Sequence, residues 1–356
     1  MHCARRLIVT AAAFVTLLAT TSAPWAQPVA DFYRGKTVRL IIGYGSGGSY
    51  DFYGRLAAEF LSRHIPGNPT IIPVNMPGAG GFKAIEYLYK VAPQDGTHLG
   101  SVAQQLAMTA LVDEKLGIDP TKLNYLGRLT AMIDIAVALP KSGITSFQDA
   151  RKREITVGAG QSTSTSALYA RALNTYAGSR FKIVTGYSGT AEIQLAVERG
   201  EVEVNGGESL PTIQVHNPDW LQGKAVFLYQ NGLKRASQLP QVPTMTELVT
   251  LDEGRQVEGR QVEGRQVEGR QVMGALAGTA EIGRSILTTP GVSPERLAAL
   301  RAAFQRMLTD PDFLAAMAKR NVMIEPATGE AMDAVTTETM GLPKSTIEAL
   351  RTLLKG

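Results

Sequence analysis

Val38-Arg-Leu-Ile-Ile42, followed at once by Gly43-Tyr-Gly-Ser-Gly-Gly-Ser49, is the stretch that decides the fold. An aliphatic, β-branched run makes a strand, and glycines then turn the chain. Over 51–64 the apolar residues Phe52, Tyr53, Leu56, Phe60 and Leu61 recur at helical spacing. A second strand over 70–75 leads into a second turn, Pro77-Gly-Ala-Gly-Gly81. A helix over 82–91 comes next, with Ile85, Leu88 and Tyr89 on one face. Residues 98–103 read as a third strand, and 125–139 holds one or two more. This alternation predicts an α/β fold with a largely parallel sheet.

The same rhythm then repeats. Strands are expected over 154–158, 181–187, 202–205 and 225–229, with helices over 165–176 and 191–199. The remainder is mostly helical. Ser293-Pro294 supplies an N-cap with Pro at the first helical position, ahead of the stripe Leu297, Leu300, Phe304, Met307 and Leu308. Asp310-Pro311 opens another helix in the same way, and 343–354 is a last amphipathic one. Two α/β blocks and a helical tail predict two lobes: 32–135 with 233–356, and 136–232.

Residues 253–272 are four perfect copies of Glu-Gly-Arg-Gln-Val. At 100° per residue, a period of five moves successive valines by about 140° and makes no stripe. Each copy also carries a glycine, which costs about 1 kcal/mol in a helix interior. The expectation is a tandem expansion of one unit within a surface helix or loop, exposed and unpacked.

Composition bounds the partners. Of 356 residues, 44% are hydrophobic and 19% charged, ordinary globular usage. The net charge is +4, but Arg5 and Arg6 lie in a leader without acids, and no basic stripe invites nucleic acid. Residues 1–26 read as a bacterial secretory signal: Arg5 and Arg6, an uncharged run over 7–23, and the cleavage neighbourhood Ala23-Pro-Trp-Ala26. The expected location is the periplasm. Cys3, the only cysteine, lies in that leader, so disulfides, cysteine nucleophiles and thiolate metal sites are not expected.

Catalytic signatures are weak. Gly43-Tyr-Gly-Ser-Gly-Gly48 fits the dinucleotide pattern, but Asn75 stands where an acid would hold the ribose. His64, His98 and His216 are far apart, and neither a phosphate-binding P-loop nor a nucleophile elbow occurs. No cofactor and no metal are expected. What recurs instead is a turn between a strand and the next helix, at 45–49, 77–81, 162–165 and 187–190. There the first-turn N–H groups and the positive end of the helix dipole favour an anion such as a carboxylate.

Tyr33-Arg-Gly-Lys-Thr-Val-Arg-Leu-Ile-Ile-Gly-Tyr-Gly-Ser-Gly-Gly-Ser-Tyr-Asp51, Asn75-Met-Pro-Gly-Ala-Gly-Gly81 and Ala92-Pro-Gln-Asp-Gly96 resemble the periplasmic solute-binding proteins of tripartite tricarboxylate transporters, the Bug (TctC) family. Leu239-Pro-Gln-Val-Pro-Thr-Met245 and Pro290-Gly-Val-Ser-Pro294 resemble further landmarks of that family. The resemblance implies a two-lobed periplasmic-binding (Venus-flytrap) fold with two crossover strands, each lobe a mostly parallel sheet flanked by helices. It implies a monomeric receptor, not an enzyme, that captures a small organic carboxylate and delivers it to large and small membrane subunits. By position, the ligand would be held at Gly45, Ser46, Gly47, Gly48 and Ser49 and at Gly78, Ala79 and Gly80. The second lobe would add Ser162, Thr163, Thr165, Tyr187 and Ser188. Glu208, in Asn205-Gly-Gly-Glu208, would favour a ligand that also carries an amine or hydroxyl. A sensor subunit on the same fold and an exported hydrolase remain open as alternatives. Because the first two turns carry no Lys or Arg, valine at Gly78 or Gly80 is expected to harm binding more than loss of any one basic residue.

Overall fold

The computed structural model describes residues 26–47, 49–160, 164–187, 189–250, 259–320, 322 and 324–355. Apart from Ala26, the expected leader lies outside them, as do the first copy of the repeat, Gly48, Ser162, Thr163 and Ser188.

Among the described residues eleven strands form two sheets. They are β1 (Thr37–Ile42), β2 (Thr70–Asn75), β3 (His98–Ser101), β4 (Asn124–Thr130), β5 (Asp134–Ala138), β6 (Ile155–Gly158), β7 (Phe181–Val184), β8 (Val204–Ser209), β9 (Val226–Asn231), β10 (Arg284–Thr288) and β11 (Ala327–Thr328). The first sheet runs β11-β4-β10-β3-β1-β2 and the second β7-β6-β8-β5-β9. Parallel pairing joins β1 to β2 and β3, and β6 to β7 and β8. β10 is antiparallel between β3 and β4, and β5 is antiparallel between β8 and β9.

Helix starts obey the local chemistry. Ser293 Oγ accepts from the Arg296 amide ahead of helix Pro294–Leu308, and Asp310 accepts from the Asp312 amide ahead of Pro311–Lys319. Each sheet buries its two faces in separate apolar clusters. Leu40, Ile42 and Phe304 lie on one side of the first sheet, Ile41, Leu88 and Leu287 on the other.

The chain passes between the sheets at 131–133 and returns through Gly283. Gly283 has φ +46°, and a Cβ there would lie 2.3 Å from the Thr130 carbonyl oxygen, so only glycine fits this crossing. Two stretches that lie within 233–356 share apolar clusters with residues of the second sheet and its helices. Ala236, Leu239 and Val242 pack with Ile135 and Trp220, while Met245, Leu248, Leu350 and Leu353 share a core with Val157 and Leu173.

The repeat departs from expectation. Its later copies lie in helix Gly259–Ile282, and the fourth is packed. Val272 is fully buried, Tyr176 donates to Glu268 Oε1 at 2.7 Å, and Thr346 donates to Gln271 at 2.6 Å. The cause is the apolar segment immediately C-terminal to the repeat. Joined to it, Gly269, Val272, Met273 and Leu276 fall at i, i+3, i+4 and i+7 and complete a stripe that the copies alone cannot form. In the third copy, by contrast, Val267 is exposed. Among the described residues no helix is long and apolar enough to cross a membrane.

Candidate ligand-binding cleft

Between the sheets lies a cleft of about 720 Å³. Among the helices that begin at it are Ser49–Leu61 after β1, Thr165–Tyr176 after β6 and Thr190–Arg199 after β7. Their first residues, Ser49, Thr165 and Thr190, all line the cleft, so their positive helix ends converge there.

The first-lobe wall carries a tyrosine pair and two arginines: Arg284, which is buried, and Arg320, which is exposed and paired with Glu59. The Tyr44 and Tyr50 rings stack with centroids 4.1 Å apart, and the Arg284 guanidinium lies 3.8 Å from the Tyr50 centroid. Arg284 Nε donates to Ser49 Oγ at 2.8 Å and Nη1 to Gln104 Oε1 at 2.6 Å. Arg284 is 8% exposed, and its Nη2 has no hydrogen-bond partner among the described residues. A buried guanidinium fixed by neutral partners keeps its full charge for an incoming anion.

The second-lobe wall is acidic. Asp134, at the start of β5, accepts from the Tyr169 hydroxyl at 3.0 Å, and Asn231 donates to that same hydroxyl at 2.6 Å. Burial pushes the Asp134 carboxyl up to about 7; the Glu208 charge adds to the rise, while Tyr169 and Arg284 oppose it. Glu208 is 5% exposed and accepts from Asn205 Nδ2 and from the Ser209 amide, yet burial still raises it above the usual carboxylate range.

The expected site residues separate into groups. Gly47, Ser49, Thr165 and Glu208 line the cleft. Gly45 and Ser46 sit in the first turn but outside the lining. The Gly47 amide is already donated to Asp51 Oδ2 at 2.9 Å, and Ser46 Oγ faces Asn75 Oδ1 at 3.4 Å. Asp51, Arg55 and Asn75 tie this turn down. Asn75 Nδ2 donates to Asp51 Oδ1 and to the Tyr44 carbonyl, and the Arg55 guanidinium holds the Asp51 carboxyl down at about 2. The position that counted against a nucleotide thus has a structural task.

Gly78, Ala79 and Gly80 are exposed and are not among the residues lining the cleft. Tyr44 reaches from the cleft to that turn and donates to the Gly80 carbonyl at 2.9 Å. Every residue over 78–81 has positive φ, which accounts for the glycines there on backbone grounds. Tyr187 is half-buried and also lies outside the lining.

Sequence reasoning missed Arg284, Asp134, Gln104 and the tyrosine pair. One signal was present: Arg284-Ser-Ile-Leu-Thr288 and Asp134-Ile-Ala-Val-Ala138 each set a single charge at the head of an otherwise uncharged, apolar-rich strand. Among the described residues no group of three or more His, Cys, Asp and Glu side chains is placed to hold a metal ion.

Two sheets joined by a short crossing at 131–133 and a longer return over 232–283, with helix N-termini facing a shared cleft, define a two-lobed periplasmic-binding fold. The chain belongs to the tripartite tricarboxylate transporter receptor family, whose model matches residues 54–257. It is 33% identical over 230 residues to the UPF0065 protein in the gbd 5' region of Cupriavidus necator, covering 63% of this chain and 67% of that one. A TctC solute-binding protein from Polaromonas, solved without ligand, matches with TM-score 0.67 and 22% identity over 91% of this chain and 99% of its own. An R. palustris protein solved with adipate matches with TM-score 0.56 and 20% identity, over 90% and 97%. The protein is thus a solute-binding receptor of this family.

Proposed function

We propose that this receptor captures a small organic carboxylate between its lobes, works as a monomer in the periplasm, and delivers its ligand to large and small membrane subunits of a tripartite transporter. The 1–26 leader would direct its export. The observation that carries the reading is Arg284: buried in the cleft, held by Ser49 and Gln104, stacked on Tyr50, and left with one guanidinium nitrogen unused. The helix starts at Ser49, Thr165 and Thr190 add partial positive charge around it. The adipate found with the R. palustris neighbour supports the ligand class. No chemical step is required of the site.

A thermal-shift screen of di- and tricarboxylates, aromatic acids and acidic amino acids, with the matching amides as controls, tests this. At about 100 times its dissociation constant a cognate acid stabilises the fold by about 2.7 kcal/mol. A neutral amide that stabilises as well as its parent acid would overturn the reading.

A further inference from the structure

We propose that the cleft is built for a zwitterion: a small amino acid whose carboxylate pairs with Arg284 and whose ammonium group is received by Glu208 and Asp134 on the opposite lobe. This rests on the carboxylate reading above and extends it to the other end of the ligand.

The walls of the cleft are asymmetric in charge. Arg284 belongs to β10 of the first sheet, whereas Asp134 and Glu208 belong to neighbouring strands β5 and β8 of the second, and all three line one cleft. Each acid has capacity to spare. Asp134 Oδ2 accepts from Tyr169, while Oδ1 has no hydrogen-bond partner among the described residues. The two Glu208 oxygens each accept once, from Asn205 and from the Ser209 amide. A carboxylate oxygen can accept twice, so both acids retain sites for donors.

The groups facing this pair do not neutralise it. Around Asp134 stand the Tyr169 hydroxyl of helix Thr165–Tyr176, Tyr229 of β9, Glu208, and Arg284 across the cleft. Around Glu208 stand Asn205, Ser209 and, on helix Leu210–His216, the imidazole of His216. Arg284 acts on Asp134 from across the cleft, but its two hydrogen bonds go to Ser49 and Gln104 and not to the acids. A buried carboxyl beside a half-buried one, without a paired cation, is costly unless one holds a proton. An ammonium group supplies the missing charge and three N–H donors. A second carboxylate in the same place would put three acids together. A diacid therefore fits this wall only by taking up protons, whereas an amino acid displaces one from Asp134 to solvent.

Isothermal titration of the full chain at neutral pH provides the test, using acids that differ only in the ammonium: glutamate with glutarate, aspartate with succinate, alanine with propionate, and phenylalanine with 3-phenylpropionate. In at least one pair the amino acid binds about tenfold or more tightly than its partner, since hydrogen bonds to charged groups are worth about 1.5–3 kcal/mol. Titration in two buffers of different ionisation enthalpy then shows proton release, and Glu208→Gln brings the ratio of affinities towards one. Should Glu208→Gln fail to fold, Asp134→Asn carries the same comparison. If in every pair the deaminated acid binds as tightly or more tightly, the zwitterion inference fails and carboxylate capture stands. If no acid of either kind binds, both fail.

Discussion

The two walls of the cleft occupy equivalent places in their sheets, and both present the first residues of helices to the ligand space. Their charges are nevertheless opposite. The first-lobe wall holds a guanidinium satisfied by neutral partners, Ser49 and Gln104. The second-lobe wall holds two acids, both raised by burial. The difference teaches that the turns create a general anion-attracting cleft, while its polarity is set by side chains from strands outside them. Arg284 and Asp134 stand at the heads of β10 and β5, just beyond the crossings at Gly283 and 131–133.

The sharpest way to break this comparison is to remove the buried cation. Arg284→Ala should weaken binding of the cognate acid at least thirtyfold, since truncating one partner of a buried charged pair costs about 2 kcal/mol or more. Gly80→Val, in a turn outside the cleft and at φ +62°, should lower the melting temperature and leave the titrated affinity nearly unchanged. This reverses the order expected from the sequence. A larger loss of affinity from Gly80→Val would put the ligand back on the second turn.

A smaller effect sharpens the acidic wall. Asp134 is raised to about 7, so the stability tied to its protonated form is full at pH values below the ordinary carboxylate range. That stability is lost as pH rises through about 7. Asp134→Asn keeps an acceptor for Tyr169 but cannot ionise. Between about pH 5 and about pH 8 the ligand-free variant should therefore lose a few degrees less in melting temperature than the parent protein. Parallel curves for the two proteins would show that Asp134 is ionised throughout.

The smallest effect is expected far from both walls. Because the four copies are identical, removing any three leaves the same sequence, and the survivor can take the packed place of 268–272. Melting temperature and ligand affinity should hardly change. A loss of several degrees on calorimetry would show that the exposed copies, with Val267 at the surface, also contribute to packing.

Much of the fold was legible. The helix over 165–176 falls where the Ser/Thr-rich turn and apolar spacing put it, and the Ser293 and Asp310 caps start their helices as expected. The strand after the repeat was not read. Arg284–Thr288 is short, begins with a charge, and pairs antiparallel between β3 and β4, almost two hundred residues away from β3 in sequence. The site was half legible. Ser49, Thr165 and Glu208 reach the cleft, whereas the turn at 78–80 does not, because Tyr44 extends across to it and closes the gap.

By itself the sequence determined the periodic strands and helices, their caps and the glycine turns, since these depend on neighbours within a few residues along the chain. It also carried the family, because the turn motifs are local. Only the tertiary structure decided that the fourth copy of the repeat is packed, that helices at 245–250 and 344–355 share a core with Val157 and Leu173, and that Arg284, Asp134 and Glu208 line one cleft. Charge in a cleft depends on burial and on which distant strands become neighbours. Those are set by packing two sheets together, which no short window of sequence contains.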